Sequence, residues 1–195
     1  ILWVGGEDEL LGTPTVVPPP VLPVETNLAL NRSTSQSSIS HNGASARAVD
    51  GNTSGTWSDR SITHTANENQ PWWEVDLGSV QGISHLNIFN RTDSCCVSRL
   101  SDFYVLVSDS AFTSREGILD DSLSQTGVSN YFFSGTVDGS TEVDINRTGR
   151  YVRIQLTGTN PLSLAEVQVI EGEDRSTISV VERATVSVEA EDYAA

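Results

Sequence analysis

Between residues 70 and 170 the chain is a succession of short segments in which polar and apolar side chains alternate, each closed by Gly, Asn, Asp or Ser. Tyr151-Val-Arg-Ile-Gln-Leu156 and Ala165-Glu-Val-Gln-Val-Ile170 show the pattern most clearly. Successive side chains on a strand point to opposite faces, so alternation builds one buried face and one wetted face. The pattern predicts strands over 72–77, 82–90, 102–108, 129–134, 141–145, 150–157 and 164–170. No long stretch keeps a 3.6-residue period to compete with them. Many short strands at this spacing predict an all-β chain folded as an antiparallel β-sandwich or barrel.

The segments on either side differ in character. Residues 1–24 end in Thr13-Pro-Thr-Val-Val-Pro-Pro-Pro-Val-Leu-Pro23, which reads as a stiff polyproline spacer or a disordered terminus. Residues 173–195 open on a polar connector and then alternate again through Ala184-Thr-Val-Ser-Val-Glu-Ala. They are expected to begin a further module, or else to add an edge strand to the main sandwich. The chain contains no methionine, so a fragment or processed product whose targeting information has been cut away is expected. No run of about 18 apolar residues is present to span a membrane.

The net charge is −15, and all eleven basic residues are arginine. Nucleic acid and anionic membranes repel such a chain unless a local basic patch intervenes.

One such patch surrounds the only two cysteines, in Asn90-Arg-Thr-Asp-Ser-Cys95-Cys96-Val-Ser-Arg99-Leu100. Adjacent cysteines are often two incidental thiols. Bonded, they would bring bridged α-carbons to roughly 3.8 Å, below the usual range of about 4.4–6.8 Å. A ring closed under such strain tends to be kept where it serves a site. It presents a rigid, sulfur-faced apolar plate to a flat ligand, and a bonded pair implies an oxidising compartment. Arg91 and Arg99 add planar forks of donors suited to an array of oxygens, and Asp93 can lock one guanidinium in place. Upstream, His64 stands in a polar loop, with 26 residues between it and Arg91. These parts together predict a small polar binding pocket.

His64, a long spacer, Arg91-Thr92-Asp93, Cys95-Cys96 and Arg99 resemble the fucose-binding signature of F-type lectins (fucolectins). Asn27-Leu-Ala-Leu-Asn-Arg32, followed by a Ser/Thr/Gln run, resembles the opening of the discoidin superfamily, to which these lectins belong. The resemblance covers about residues 25–172 and implies a jelly-roll β-sandwich that binds terminal L-fucose on glycans. His64, Arg91 and Arg99 would be the polar donors, Cys95 and Cys96 a stacking plate, and Asp93 a brace. Trp57 is either an apolar wall for the sugar methyl group or a half-buried loop anchor. This chain carries one residue more than the family pattern between Asp93 and Arg99, with Ser94 as the insertion, which bears on the register of the plate and of Arg99.

The resemblance also implies structural calcium. Asp50 and Ser61 would contribute side-chain oxygens, Arg47, Asn52 and Ala165 their backbone carbonyls, and Glu166 would close the shell. Such all-oxygen shells suit calcium. As a bare turn, Asp50-Gly-Asn52 needs no ion. His41, His64 and His85 lack the close spacing zinc ligands need. Trp72, Trp73 and His85 sit in strand patterns and are expected to be structural.

Two of four Asn-x-Ser/Thr sequons, at Asn52 and Asn90, fall in the expected calcium loop and pocket. A glycan there would obstruct binding, which favours a prokaryotic or unglycosylated product. Val188-Glu-Ala-Glu-Asp-Tyr193 resembles the first strand of a family-6 carbohydrate-binding module. The expectation is therefore a secreted or cell-surface, multimodular bacterial parent with neighbouring carbohydrate-binding modules. Two rivals stand beside the lectin reading. A glycosidase would need two carboxylates flanking the sugar, for which Glu74 and Asp76 are the nearest pair. A discoidin-type adhesion module would bind protein or lipid.

Overall fold

A computed structural model describes residues 25–114 and 118–172. The expected linker over 1–24 and the further module over 173–195 lie outside the described residues.

The fold is the expected all-β sandwich. In chain order it contains β1 (Ser33–Gln36), β2 (Glu68–Asn69), β3 (Trp72–Asn90), β4 (Ser101–Ser108), a short helix α1 (Leu119–Ser124), β5 (Ser129–Thr136), β6 (Ser140–Leu156), β7 (Thr159–Asn160) and β8 (Leu164–Glu171). The strands pair antiparallel in the order β1-β3-β6-β4-β5, with β8 pairing the second half of β3 along the edge that β1 takes in the first half, and β2 pairs β7 separately.

The predicted pairs 72–77/82–90 and 141–145/150–157 are each one continuous strand. The β3–β6 register shifts between Asp76 and Gln81 and again between Ile83 and His85. Gly78, at φ 90°, lies within the first shift. Such irregularities bend a strand and increase its twist. The first half of β3 pairs with β1 and the end of β6, and the second half with β8 and the start of β6. The same two strands thus serve both layers of the sandwich. Trp73, Val75, Phe103, Val105, Val152 and Ile154 pack in one core with Leu86, Ile88, Val167 and Val169.

On the outer face of the first layer, Arg153 is almost fully buried. Its Nε and Nη2 donate to Glu74 Oε2 at 3.1 and 2.8 Å, and its Cζ lies 4.5 Å from the Trp72 ring and 4.3 Å from the Phe112 ring. Nearby, Arg150 grips both oxygens of Asp76 at 2.7 and 2.9 Å. Trp73 packs in the core and Trp72 is buried against Arg153, so both are structural, as expected. His85, on β3, lies 3.9 Å from Glu142 across to β6.

Candidate carbohydrate site

The pocket is made by three loops that lead into or out of strands. The loop after β3 is anchored by buried Asn90, whose Nδ2 donates to the carbonyls of Val97 (2.9 Å) and Val137 (2.8 Å). Its amide is therefore committed inside the fold, which leaves no place for a glycan. Past it, Cys95 and Cys96 are bonded, with α-carbons 3.8 Å apart. Cys95 is exposed and Cys96 buried. The Ser94 insertion is absorbed in an exposed turn closed by Cys96 N–H to the Asp93 carbonyl at 3.0 Å, and Arg99 still reaches the pocket.

His64 is held from both sides. Thr63 N–H donates to the Leu164 carbonyl (2.9 Å), and Leu164 N–H donates back to Thr63 Oγ1 (3.0 Å). Thr65 and Leu162 repeat the exchange at 3.1 and 2.8 Å. On the other side, His64 N–H donates to the Gly43 carbonyl (3.0 Å), and Ser40 N–H to the His64 carbonyl (2.8 Å). Gln36, at the end of β1, donates from Nε2 to Ser38, Gly43 and His64 carbonyls at 2.7–3.3 Å. The backbone at His64 is thus fixed before any ligand arrives.

Trp57, His64, Arg91, Cys95, Cys96 and Arg99 together line one pocket of about 360 Å³, completed by Ser40, His41, Asn67 and Pro161. Arg99 Nη1 donates to His64 Nε2 at 2.9 Å, while His64 Nδ1 lies 2.6 Å from the Thr65 carbonyl. A carbonyl only accepts, so Nδ1 carries the proton and Nε2 presents a lone pair. The histidine is therefore an acceptor in the pocket, where the sequence reading took it for a donor. Burial pushes its pKa below the ordinary 6.5, and the charges of Arg99, His41 and Arg91 push the same way.

Asp93 does not line the pocket. Its Oδ2 accepts from Arg91 Nε (2.7 Å) and from the Trp57 backbone N–H (3.0 Å), so one carboxylate braces both a guanidinium and the aromatic wall. The Trp57 ring stands edge-on to His64, 5.7 Å between centroids, with Arg91 Cζ 5.0 Å from its face.

The expected calcium residues lie beside this pocket. Glu166 is fully buried; Oε1 accepts from Gly51 N–H at 3.1 Å, while Oε2 has no partner. Burial, aided by the charge of Asp50, pushes its carboxyl up to about 7. Asp50 Oδ1 accepts from Asn52 N–H at 2.9 Å, Ser61 donates to the Ser54 carbonyl, and Ala165 is buried on β8. A buried carboxylate oxygen without a donor, close to a second carboxylate, is the arrangement a hard cation would complete. Among the described residues no cluster of three or more His, Cys, Asp or Glu could hold a metal, and the expected shell contains only two carboxylates.

Residues 47–154 match a family profile described as NedA-like, galactose-binding domain. Fucolectin-1 of Anguilla japonica is 34% identical over 160 residues, covering 75% of this chain and 81% of the relative. The chain belongs to the fucolectin family. Among solved structures, a Streptococcus pneumoniae fucose binding module, SpX-3, shares 35% identity at a TM-score of 0.65, over 76% of this chain and 99% of that one. The lectin domain of Lectinolysin complexed with Lewis b, in a His 62 mutant form, shares 34% identity at 0.64, over 77% and 99%.

This fucolectin domain is a non-enzymatic binding module, as its lectin relatives are. Glu74 and Asp76, the carboxylates a glycosidase would need, are both bound to arginines of β6 and neither lines the pocket. Sequence reasoning missed Ser40, His41, Asn67 and Pro161. His41 is tied to its neighbour (Ser40 Oγ to Nδ1, 2.8 Å), and its ring centroid lies 4.8 Å from that of His64.

Proposed function

We propose that this fucolectin domain is a calcium-containing lectin module of a secreted or cell-surface protein that recognises terminal L-fucose on glycans. The observation that carries the reading is the cluster of His64, Arg91 and Arg99 against the Cys95–Cys96 plate in one pocket. The names of the relatives, fucolectins and fucose binding modules, support the same ligand.

L-Fucose offers hydroxyl oxygens on one face, an axial one among them, and a 6-deoxy methyl group. Inserted between Arg99 and His64, one hydroxyl donates to the Nε2 lone pair and accepts from the guanidinium, so both existing partners stay satisfied. Arg91, its Nε already held by Asp93, supplies donors from its terminal nitrogens. Hydrogen bonds to charged groups contribute about 1.5–3 kcal/mol each. A sugar without the matching hydroxyl leaves them unpaired, and specificity follows. The cysteine plate meets the apolar side of the ring, and Trp57 meets the methyl. One such shallow site binds modestly, and repeated modules would raise avidity.

Asp50, Ser61 and Glu166 by side chain, with the Arg47, Asn52 and Ala165 carbonyls, would hold calcium, which supplies the positive charge that the unpartnered Glu166 oxygen lacks. The residues holding it run directly into those carrying Trp57 and His64. Retention on a fucosylated neoglycoprotein column, with elution by L-fucose, tests the reading. Elution by D-galactose at the same concentration as L-fucose, or full retention of Arg91→Ala, would sink it.

A further inference from the structure

Trp57 sits in a three-residue turn, Trp57–Asp59, in which no residue is buried, so the turn alone does little to fix its ring. The ring is oriented by contacts with other segments. Two come from pocket residues, His64 and Arg91. The third comes from Arg47, which does not line the pocket. Arg47 is carried by the 3-10 turn Ser45–Val49, whose Ala48 and Val49 are buried in the core. Its Nη1 donates to the Ile62 carbonyl at 3.0 Å, and its Cζ lies 5.8 Å from the Trp57 ring centroid. Guanidinium–ring attraction extends to about 6 Å. The hydrogen bond to Ile62 anchors the guanidinium to the buried segment that carries His64, two residues on.

We propose that the Arg47 side chain is a positioning residue which holds Trp57 as the rigid wall that distinguishes a methyl from a hydroxymethyl group at C6 of the sugar. This rests on the fucose reading above. L-Galactose differs from L-fucose by one hydroxyl on C6, and a hydroxyl pressed against an aromatic wall loses its hydrogen bonds to water. A fixed wall enforces that penalty. A ring free to rock lets water or the hydroxyl past, so the discrimination falls while the polar contacts of His64, Arg91 and Arg99 persist.

The test compares the wild-type chain with Arg47→Ala and Arg47→Lys, measuring L-fucose and L-galactose affinities by calorimetry and melting temperature alongside. Both substitutions leave the residue 47 carbonyl in place. Arg47→Ala is expected to lower the L-fucose to L-galactose affinity ratio by about two- to tenfold, the size of a cation–ring contact. Arg47→Lys, which keeps a cation at that position, is expected to recover part of it. Acrylamide quenching of Trp57 fluorescence, taken as the difference from Trp57→Phe, should rise in Arg47→Ala without any sugar. An unchanged ratio and unchanged quenching in Arg47→Ala, with wild type binding L-fucose, would overturn the assignment. Wild type that fails to bind L-fucose would remove the fucose reading, and the selectivity role with it.

Discussion

Arg99 donates to the Nε2 lone pair of His64 across 2.9 Å, inside the pocket that a sugar would enter. Each is the other's partner before ligand arrives, and a hydroxyl with one proton and two lone pairs can take the place between them. The pairing requires a neutral histidine. Protonated, Nε2 becomes a donor facing a donor.

The pH dependence follows from that requirement. The pKa of His64 in the folded chain lies below 6.5, chiefly through burial, so the neutral form is favoured by folding. The stability it contributes is complete above the unfolded value and is lost as pH falls through the folded one. L-Fucose affinity should be flat from pH 8 to about 6.5 and decline only below it. A titration by calorimetry in matched buffers checks this; affinity already declining between pH 8 and 7 would contradict it.

Gly43 faces the backbone of His64 so closely that a Cβ would stand 2.5 Å from His64 N and 2.6 Å from His64 Cβ. Since Thr63 and Thr65 are each clipped twice to the 162–164 segment, the histidine has little room to yield. Gly43→Ala should cost about 1–3 kcal/mol of stability by overpacking and weaken L-fucose binding in proportion to the shift of His64. Denaturant melts and binding isotherms measured together decide it; a variant matching wild type in both would show that the loop accommodates the methyl.

The Cys95–Cys96 bond closes no loop of chain beyond its own ring, so it restricts the unfolded state little. Reduction should therefore leave the melting temperature nearly unchanged while weakening sugar binding, on the order of tenfold, by dissolving the plate. Mass spectrometry to confirm reduction, followed by scanning calorimetry and a binding isotherm, separates the two effects. A large fall in melting temperature with binding intact would reverse the assignment.

Glu166 carries the metal prediction. Its folded pKa, about 7, lies above its ordinary 4.5. Without metal, the stability it contributes is complete below 4.5 and is lost as pH rises through about 7. Calcium at 100 times its dissociation constant would add about 2.7 kcal/mol, most at the pH where the carboxylate is ionised. The chelated protein should lose stability from pH 5 to 8, and calcium should abolish that slope. Glu166→Gln should remove both the slope and the calcium response. A slope unaffected by calcium would leave Glu166 a buried acid with no cation.

Much of this was legible in the chain because the governing signals are local. Period-two alternation marked β3, β4, β5, β6 and β8, and the Arg-x-Asp-x-Cys-Cys run marked one side of the pocket. The continuity of β3 and β6 through their bends was not legible, because turn-type residues such as Gly78 end a strand and kink one equally well. β1 was missed because a run of Ser, Thr and Gln has no apolar face to read. Gln36 works entirely through backbone carbonyls, those of Ser38 and Gly43 in the loop that follows it and that of His64 much further along the chain. His41 joins the pocket only because the loop ending at Gly43 folds against His64, a contact that ligand spacing does not encode.

The most direct test is a calorimetric titration of the chain with L-fucose in calcium buffer, with D-galactose as comparator and Arg99→Ala as control. Saturable L-fucose binding, absent with D-galactose and lost or at least about tenfold weaker in Arg99→Ala, is the predicted result. No heat with L-fucose at millimolar concentration, or equal binding by the variant, would contradict the account that the His64–Arg99 pair receives the sugar.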